Sequence, residues 1–162
     1  MDHIVCVKEE KLEQIIEKEK NVFVWGAFFS LIPHCCVFEG DRLFFLKENS
    51  GRIMAKGMVL KAIHYEKLKK QDCYELMDKF QGRHLLEENE RRKYAKRNMS
   101  FIEFGEVEQI CIEVEQFRKL KGWFMIEDIE EVNKKETAIN YTIELIGKEM
   151  KEIGQNIKER KR

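Results

Sequence analysis

The 162-residue sequence has a single proline, Pro33, and no long hydrophobic run. A bilayer-spanning helix needs about 20 consecutive apolar residues, so the sequence predicts no membrane span and no membrane partner. Its five cysteines include no CxxC pair, and no signal-peptide pattern precedes the first strand-like run. An odd number of cysteines without paired spacing is typical of reduced thiols inside a cell. We therefore expect a cytoplasmic protein.

Net charge is absent as well, because 30 Lys and Arg residues balance 30 Asp and Glu residues. The total charge predicts no polyanionic partner, although local basic clusters can still bind one. The Walker, GxSxG, HExxH and GxGxxG patterns are all missing, and with them the enzyme classes that they mark. Whether the protein is an enzyme stays open at this point, with a non-enzymatic role favoured.

The run His34-Cys35-Cys36 invites comparison with a metal site. Adjacent cysteines cannot easily both reach one tetrahedral ion, and no second ligand pair has zinc-site spacing. His64 ends a predicted strand, and no Ser or Cys partner can be assigned to it. The sequence therefore predicts no metal and no cofactor.

The clearest structural pattern is a β-hairpin. Its predicted first strand is Arg42–Glu48, and its predicted second strand runs from Arg52 to about His64. The turn is Asn49-Ser50-Gly51, because Asn and Gly tolerate the positive φ angles of short hairpin loops. Hydrophobic patterning also predicts strands at 3–7, 22–25, 100–117 and 123–126, helices at 8–20, 65–81 and 87–97, and an apolar loop at 26–40.

The last part of the chain has a different pattern. Its apolar residues are spaced 4, 3, 4, 3 and 4 apart, at Ile139, Ile143, Ile146, Met150, Ile153 and Ile157. This a/d stripe predicts an amphipathic helix over 134–162, added to a domain at 1–133. Docking on the protein's own sheet and pairing in a homodimer are both compatible with the stripe.

The order of these elements resembles the PUA-like superfamily, a group of small curved β-barrels that includes PUA, ASCH, EVE and YTH domains. Within or near that group, the sequence resembles a small archaeal family. The resemblance covers roughly residues 2–130 and rests on Asp2–Val7, Lys20–Val24, Gly40–Phe45, Gly51–Ile63 and Phe80–Tyr94. It implies an α+β fold, with a PUA-like curved β-barrel, flanking helices and an added C-terminal helix.

Members of the superfamily mostly bind RNA or read modified bases in a pocket on the barrel. The resemblance therefore implies a non-enzymatic module that binds RNA or another nucleic acid, or a modified nucleotide. One alternative is an ASCH-like hydrolase of a modified nucleoside, since some ASCH proteins cleave such amides. Lys20 stands at the lysine of the ASCH signature and is the candidate catalytic amine, whereas Phe23 and Trp25 replace the signature's acid and arginine. Lys20 and Arg42 are candidates for lining a pocket. A protein-interaction subunit that dimerises through the C-terminal helix is a second alternative.

Aromatic and basic residues supply the candidate nucleic-acid contacts. Trp25, Phe28 and Phe29 predict a stacking surface, because every base offers a π-face to an aromatic ring. The same three rings are compatible with plugging one end of a barrel. Candidate phosphate contacts are Arg91, Arg92, Lys96, Arg97, Lys119 and Lys121. A solvated helix face balanced by neighbouring glutamates is the alternative for the basic residues of the helix.

Overall fold

A computed structural model describes residues 1–28 and 33–132. The strands in this part of the chain are β1 (Asp2–Val7), β2 (Val22–Ala27), β3 (Arg42–Lys47), β4 (Arg52–Tyr65), β5 (Asn98–Glu113) and β6 (Trp123–Ile126). The helices are α1 (Glu9–Ile16), α2 (Lys70–Asp78), α3 (Glu88–Tyr94) and α4 (Ile129–Val132), with a 3-10 turn at Glu115–Phe117. Phe29 and the C-terminal helix predicted over 134–162 lie outside the described residues.

The strands form one six-stranded sheet in the order β2-β5-β4-β3-β1-β6. Strands β1 and β3 are parallel, and the other neighbours are antiparallel. The sheet curls into a half-barrel, with α1 packed against its inner face and α2 against its outer face. The predicted α+β fold, a curved PUA-like barrel with flanking helices, is confirmed for this part of the chain.

Stacked phenylalanine rings fill the inside of the curled sheet. The ring of Phe23 lies 5.1 Å from that of Phe104 and 5.8 Å from that of Phe45, centroid to centroid. On the outside, Met77 of α2 is buried with Val24 and other apolar residues of β2 and β5. Burial of these apolar surfaces is the main force that holds the sheet curled and the helices against it.

The predicted hairpin turn is confirmed, with φ of 59° at Asn49 and 63° at Gly51. Just before the hairpin, Asp41 joins three segments of the chain. Its Oδ2 accepts hydrogen bonds from His3 Nε2 and from the Phe38 backbone N–H, each at 2.9 Å. The Gly-Asp pair that immediately precedes β3 therefore anchors β3 to β1.

Several element boundaries differ from those predicted. Strand β4 pairs with β5 as far as Tyr65 opposite Met99, so α2 begins at Lys70 and not at residue 65. Helix α1 ends at Ile16, because Lys18 adopts a positive φ of 62° and turns the chain back. Strand β5 runs from Asn98 to Glu113, and its register with β4 shifts next to Gly105.

Helix α3 is also shorter than the predicted 87–97. It ends at Tyr94, because the following residues bond to other parts of the chain. The Lys96 carbonyl accepts a contact from Cys73 Sγ at 3.2 Å, and the Arg97 carbonyl accepts the Leu68 N–H at 2.9 Å. Lys96 and Arg97 therefore lie in the connection to β5. No helix in residues 1–28 and 33–132 is both long and apolar enough to cross a membrane.

Candidate functional site

A cleft of about 650 Å³ opens between α3, α1 and the neighbouring strands β1 and β2. This volume lies within the roughly 300–1,000 Å³ that small-molecule sites occupy. Its lining residues are Val5 to Lys8, Glu10, Lys11, Lys20, Phe23 to Trp25, Glu48, Leu86, Glu87, Asn89, Glu90, Lys93, Tyr94, Lys121 and Gly122.

Three aromatic residues, Phe23, Trp25 and Tyr94, form what we call the aromatic wall of the cleft. Trp25 is half-buried, and its ring lies 5.9 Å from that of Tyr94 and 6.3 Å, edge-on, from that of Trp123. Contacts on two sides fix the orientation of the indole while part of it stays accessible. The wall is therefore a preorganised apolar surface of the kind on which a planar ring can stack.

Gly26 places Tyr94 against β2. A Cβ atom at Gly26 would lie 1.8 Å from the carbonyl oxygen of Tyr94, a distance that no real contact allows. The last turn of α3 can therefore approach β2 this closely only because residue 26 has no side chain. The predicted end of the strand at Gly26 is wrong, since β2 continues to Ala27.

Lys20 lines the cleft with a side chain that is almost fully buried. Its ammonium group donates hydrogen bonds to the carbonyl oxygens of His84 and of Val22, the latter at 3.1 Å, and lies 5.0 Å from the Phe23 ring centroid. Burial, and then the nearby charge of Lys11, lower the pKa of Lys20 to about 7, against a partial opposing effect of Glu90. Near neutral pH, this buried amine is therefore present in both protonation states.

The charged side chains of the cleft are of both signs. Lys11 binds the Leu85 carbonyl oxygen at 2.7 Å and the Glu90 carboxylate at 3.1 Å. Lys121 lies 3.5 Å from the Glu48 carboxylate. Lys93 is exposed, with its ammonium group 5.4 Å from the centroid of the Tyr94 ring. Exposed lysines at the mouth can meet an anionic ligand, whereas the glutamates would repel a polyanion that entered deeply.

The structure brings together three of the residues singled out in the sequence, since Trp25, Lys20 and Lys121 all line this cleft. Arg42, the second pocket candidate, does not line it. The Arg42 guanidinium makes two hydrogen bonds to the Asp2 carboxylate, at 2.6 and 2.7 Å, and a third contact to Asp128 at 3.3 Å. These bonds tie the start of β3 to β1 and to the segment before α4, so Arg42 has a structural role.

The other basic candidates do not line the cleft. Arg91 is held by Asp78 at 2.5 Å and packs over the Tyr74 ring, so it is occupied within the protein. Arg92 points outward and pairs with Glu88 at 3.5 Å. Arg97 and Lys119 are exposed.

Phe28 follows the end of β2, and 64% of its surface is exposed. The Lys96 ammonium group lies 4.7 Å from the centroid of its ring. These two residues form an aromatic and cationic pair that does not line the cleft.

Tyr94 and Lys93, which also line the cleft, are not among the site residues predicted from the sequence. Tyr94 is the only aromatic side chain of the charged helix α3, and Lys93 is one of three adjacent basic residues in it. A helix of period 3.6 turns neighbouring residues about 100° apart, so Arg92 and Lys93 face different directions. A tyrosine alone on a charged helix was the available signal, because such a residue marks the side that faces the protein.

Structural comparison shows the fold of ASCH domains. The ASCH protein of Zymomonas mobilis superposes with a TM-score of 0.62 at 11% sequence identity, over 82% of this chain and 92% of that protein. Two single-residue variants of it give the same TM-score at 12% and 11% identity. A scan of protein-family models and a search of curated proteins gave no match. The superposition shows the fold. At identity this low it shows nothing of function, which must be argued from the site.

Proposed function

We propose that this protein binds single-stranded nucleic acid, RNA in the first place, by accepting one base in the cleft beside α3. The observation that carries the proposal is the aromatic wall, with Trp25 held by Tyr94 and Trp123 at the side of a 650 Å³ cleft. The ASCH-like fold supports it as analogy, since a fold hosts many functions.

Stacking would supply the base contact. A base on an aromatic side chain contributes roughly 1–3 kcal/mol with little dependence on base identity. The Trp25 ring loses little freedom on binding, because its neighbours already fix its orientation. Such a site would accept an unpaired base and exclude a base inside a duplex, whose faces are covered by stacking neighbours.

Lys93 and Lys121 would supply the phosphate contacts. Both are exposed and both line the cleft. Lys121 would exchange its 3.5 Å contact with Glu48 for a phosphate oxygen. The logarithm of the affinity should fall linearly with the logarithm of the salt concentration. The slope should be small, at about 0.7 for each phosphate contacted on a single strand.

Two matched pairs of variants test the proposal. Lys93 and Arg92 are neighbours on α3, but only Lys93 lines the cleft, and Lys121 and Lys119 differ in the same way. We expect Lys93→Ala and Lys121→Ala each to weaken binding of a fluorescent single-stranded RNA several-fold and to reduce the salt slope by about 0.7. Arg92→Ala and Lys119→Ala should stay within about twofold of the wild type. Anisotropy titrations at three salt concentrations measure both quantities.

Trp25→Leu tests the stacking contact in the same assay. It keeps an apolar side chain and removes the π-face, so we expect affinity to fall by roughly ten- to a hundredfold, in line with the energy of one stacked base. The matched control is Phe28→Leu, at an exposed aromatic outside the cleft. Wild-type protein that binds no RNA, or equal losses in the two variants of a matched pair, would overturn the proposal.

A second candidate function is hydrolysis of an amide on a modified nucleoside in the same cleft. The observation that favours it is Lys20, whose pKa of about 7 suits a proton-transfer group at neutral pH. We expect Lys20→Met to abolish turnover of an N-acylated nucleoside, followed by chromatography of the released nucleoside, while Lys119→Met retains it. Turnover that survives Lys20→Met removes Lys20 from the chemistry, and absence of turnover in the wild type leaves the binding function alone.

A further inference from the structure

A second group of chemically capable side chains lies outside the cleft, where strands β4 and β5 meet the loop before β3. One potential ligand atom from each of His34, Cys35 and His64 lies within 4.8 Å of the other two. The histidine rings stand edge to face, with centroids 5.3 Å apart. The sequence alone predicts no metal here, because adjacent cysteines cannot easily both reach one ion and no second ligand pair has zinc-site spacing.

His64 is already oriented as a metal ligand. Its Nε2 lies 3.2 Å from the carbonyl oxygen of Val37, so that nitrogen carries the hydrogen and donates it. The Nδ1 atom then has a lone pair, which accepts the Cys35 N–H at 3.1 Å and the Ser100 hydroxyl at 2.8 Å. A ring N–H bonded to a backbone carbonyl is the usual second-sphere support of a metal-binding histidine.

His34 has a nitrogen without a hydrogen-bond partner in the described part of the chain. Its side chain is 3% exposed, and its Nδ1 lies 3.0 Å from the Ser100 oxygen. Ser100 has one hydroxyl hydrogen, which goes to His64, so we assign the hydrogen of this contact to His34 Nδ1. The lone pair of the buried His34 Nε2 then meets no donor. An unsatisfied buried nitrogen is costly, and a cation would satisfy it.

We propose that His34 Nε2, His64 Nδ1 and the Cys35 thiolate bind one zinc ion, with a water molecule in the fourth position. Two imidazoles and one thiolate form a donor set that zinc accepts in tetrahedral geometry. With zinc bonds of about 2.0–2.3 Å, such donors lie roughly 3.3–3.8 Å apart. Cys35 is exposed, so its side chain can move to complete the site on binding.

Charge and surroundings agree with this assignment. The Cys35 thiol releases its proton to solvent on coordination, so zinc with one thiolate carries a net charge of +1. The Glu66 carboxylate lies 3.6 Å from His34 Nε2 and is 59% exposed, so it can move to balance that charge. The Ser100 hydroxyl and the Cys35 backbone N–H both give up their bonds to His64 Nδ1, and Ser100 remains the acceptor for His34 Nδ1–H.

The site lies beside the candidate cleft but does not share its lining. Trp25 pairs with Ser100 across β2 and β5, and Ser100 pairs with His64 across β5 and β4. Residues directly opposite on antiparallel strands share a face of the sheet. The zinc ion would therefore fix one end of the cross-strand row whose other end is Trp25.

Cobalt provides the test, because it reports both geometry and thiolate ligation spectroscopically. Titration of reduced wild-type protein with Co²⁺ should produce tetrahedral d–d absorption and a thiolate-to-cobalt charge-transfer band. Both signals should saturate at one equivalent of Co²⁺, and one equivalent of Zn²⁺ should remove them. Cys35→Ser should lose the charge-transfer band, and His34→Gln and His64→Gln should each weaken cobalt binding by at least about tenfold. The control is Cys111→Ser, at another exposed free cysteine, which should leave the spectrum unchanged.

Two results would overturn the zinc site. One is the absence of stoichiometric cobalt or zinc binding to the reduced wild type. The other is a charge-transfer band that survives Cys35→Ser or disappears in Cys111→Ser. Because Cys35 is exposed, Cys35→Ser should fold, and its far-ultraviolet circular dichroism without metal checks this even where a buried histidine variant does not fold.

Discussion

Gly26→Ala is expected to destabilise the protein by about 3 kcal/mol and to abolish binding in the cleft. The added methyl group would lie 1.8 Å from the Tyr94 carbonyl oxygen, so either β2 or the end of α3 must move. Overpacking typically costs about 1–3 kcal/mol, and a clash between two backbones falls at the upper end because neither side can rotate away. Urea unfolding at neutral pH measures the loss, and RNA anisotropy measures the binding.

Gly57→Ala is the matched control for this prediction. A Cβ atom at Gly57 would lie 3.2 Å from the Gly105 carbonyl oxygen, so a shift of a few tenths of an ångström relieves the contact. Gly57 does not line the cleft, and we expect a smaller loss of stability with unchanged RNA binding. Equal stability of Gly26→Ala and the wild type would show that α3 does not pack on β2 as described.

Lys20→Met is expected to change how stability depends on pH. The pKa of Lys20 is about 7 in the folded protein, against an ordinary value of 10.5. Between these pH values the unfolded chain holds a proton that the folded protein has released, so the free energy of unfolding rises with pH. One such proton contributes about 1.4 kcal/mol per pH unit. As pH rises from 7 towards 10, the free energy of unfolding of the wild type should therefore increase by a few kcal/mol relative to that of the variant.

Urea unfolding of both proteins at intervals from pH 6.5 to 9.5 measures this difference. Other titrating groups affect the wild type and the variant alike, so the difference between the two curves isolates Lys20. Lys119→Met, at an exposed lysine, should give a curve parallel to that of the wild type. If the Lys20→Met curve is also parallel, Lys20 has an ordinary pKa, and both the burial argument and the hydrolase candidate fail.

Local sequence features predicted the parts of the fold that local physics decides. The turn at Asn49 to Gly51 follows from residues that tolerate positive φ, and the aromatic character of Trp25 is enough to predict it as a stacking residue. The resemblance to PUA-like proteins supplied the overall architecture. The end of α3 was missed because bonds to the Lys96 and Arg97 carbonyls come from residues distant in sequence.

The two sites could be predicted only in part, for the same reason. Arg91 and Lys93 look equivalent in sequence, yet Asp78 holds the first while the second faces the cleft. His64 meets His34 because β4 pairs with β5 so that His64 is opposite Ser100. Strand register over such a separation depends on packing of the whole sheet, which no single motif encodes. The C-terminal a/d stripe lies outside the described residues, and its homodimer remains a proposal.

The most direct test of nucleic-acid binding in the cleft is photocrosslinking of the wild-type protein to a short single-stranded RNA that carries one 5-iodouridine. Mass spectrometry of the digested adduct identifies the residue that the base touches. The account predicts crosslinks to Trp25 or Tyr94, suppressed by excess unlabelled RNA and absent with a duplex of the same sequence. Crosslinks confined to Phe28 or to other residues outside the cleft, or no specific crosslink at all, would contradict it.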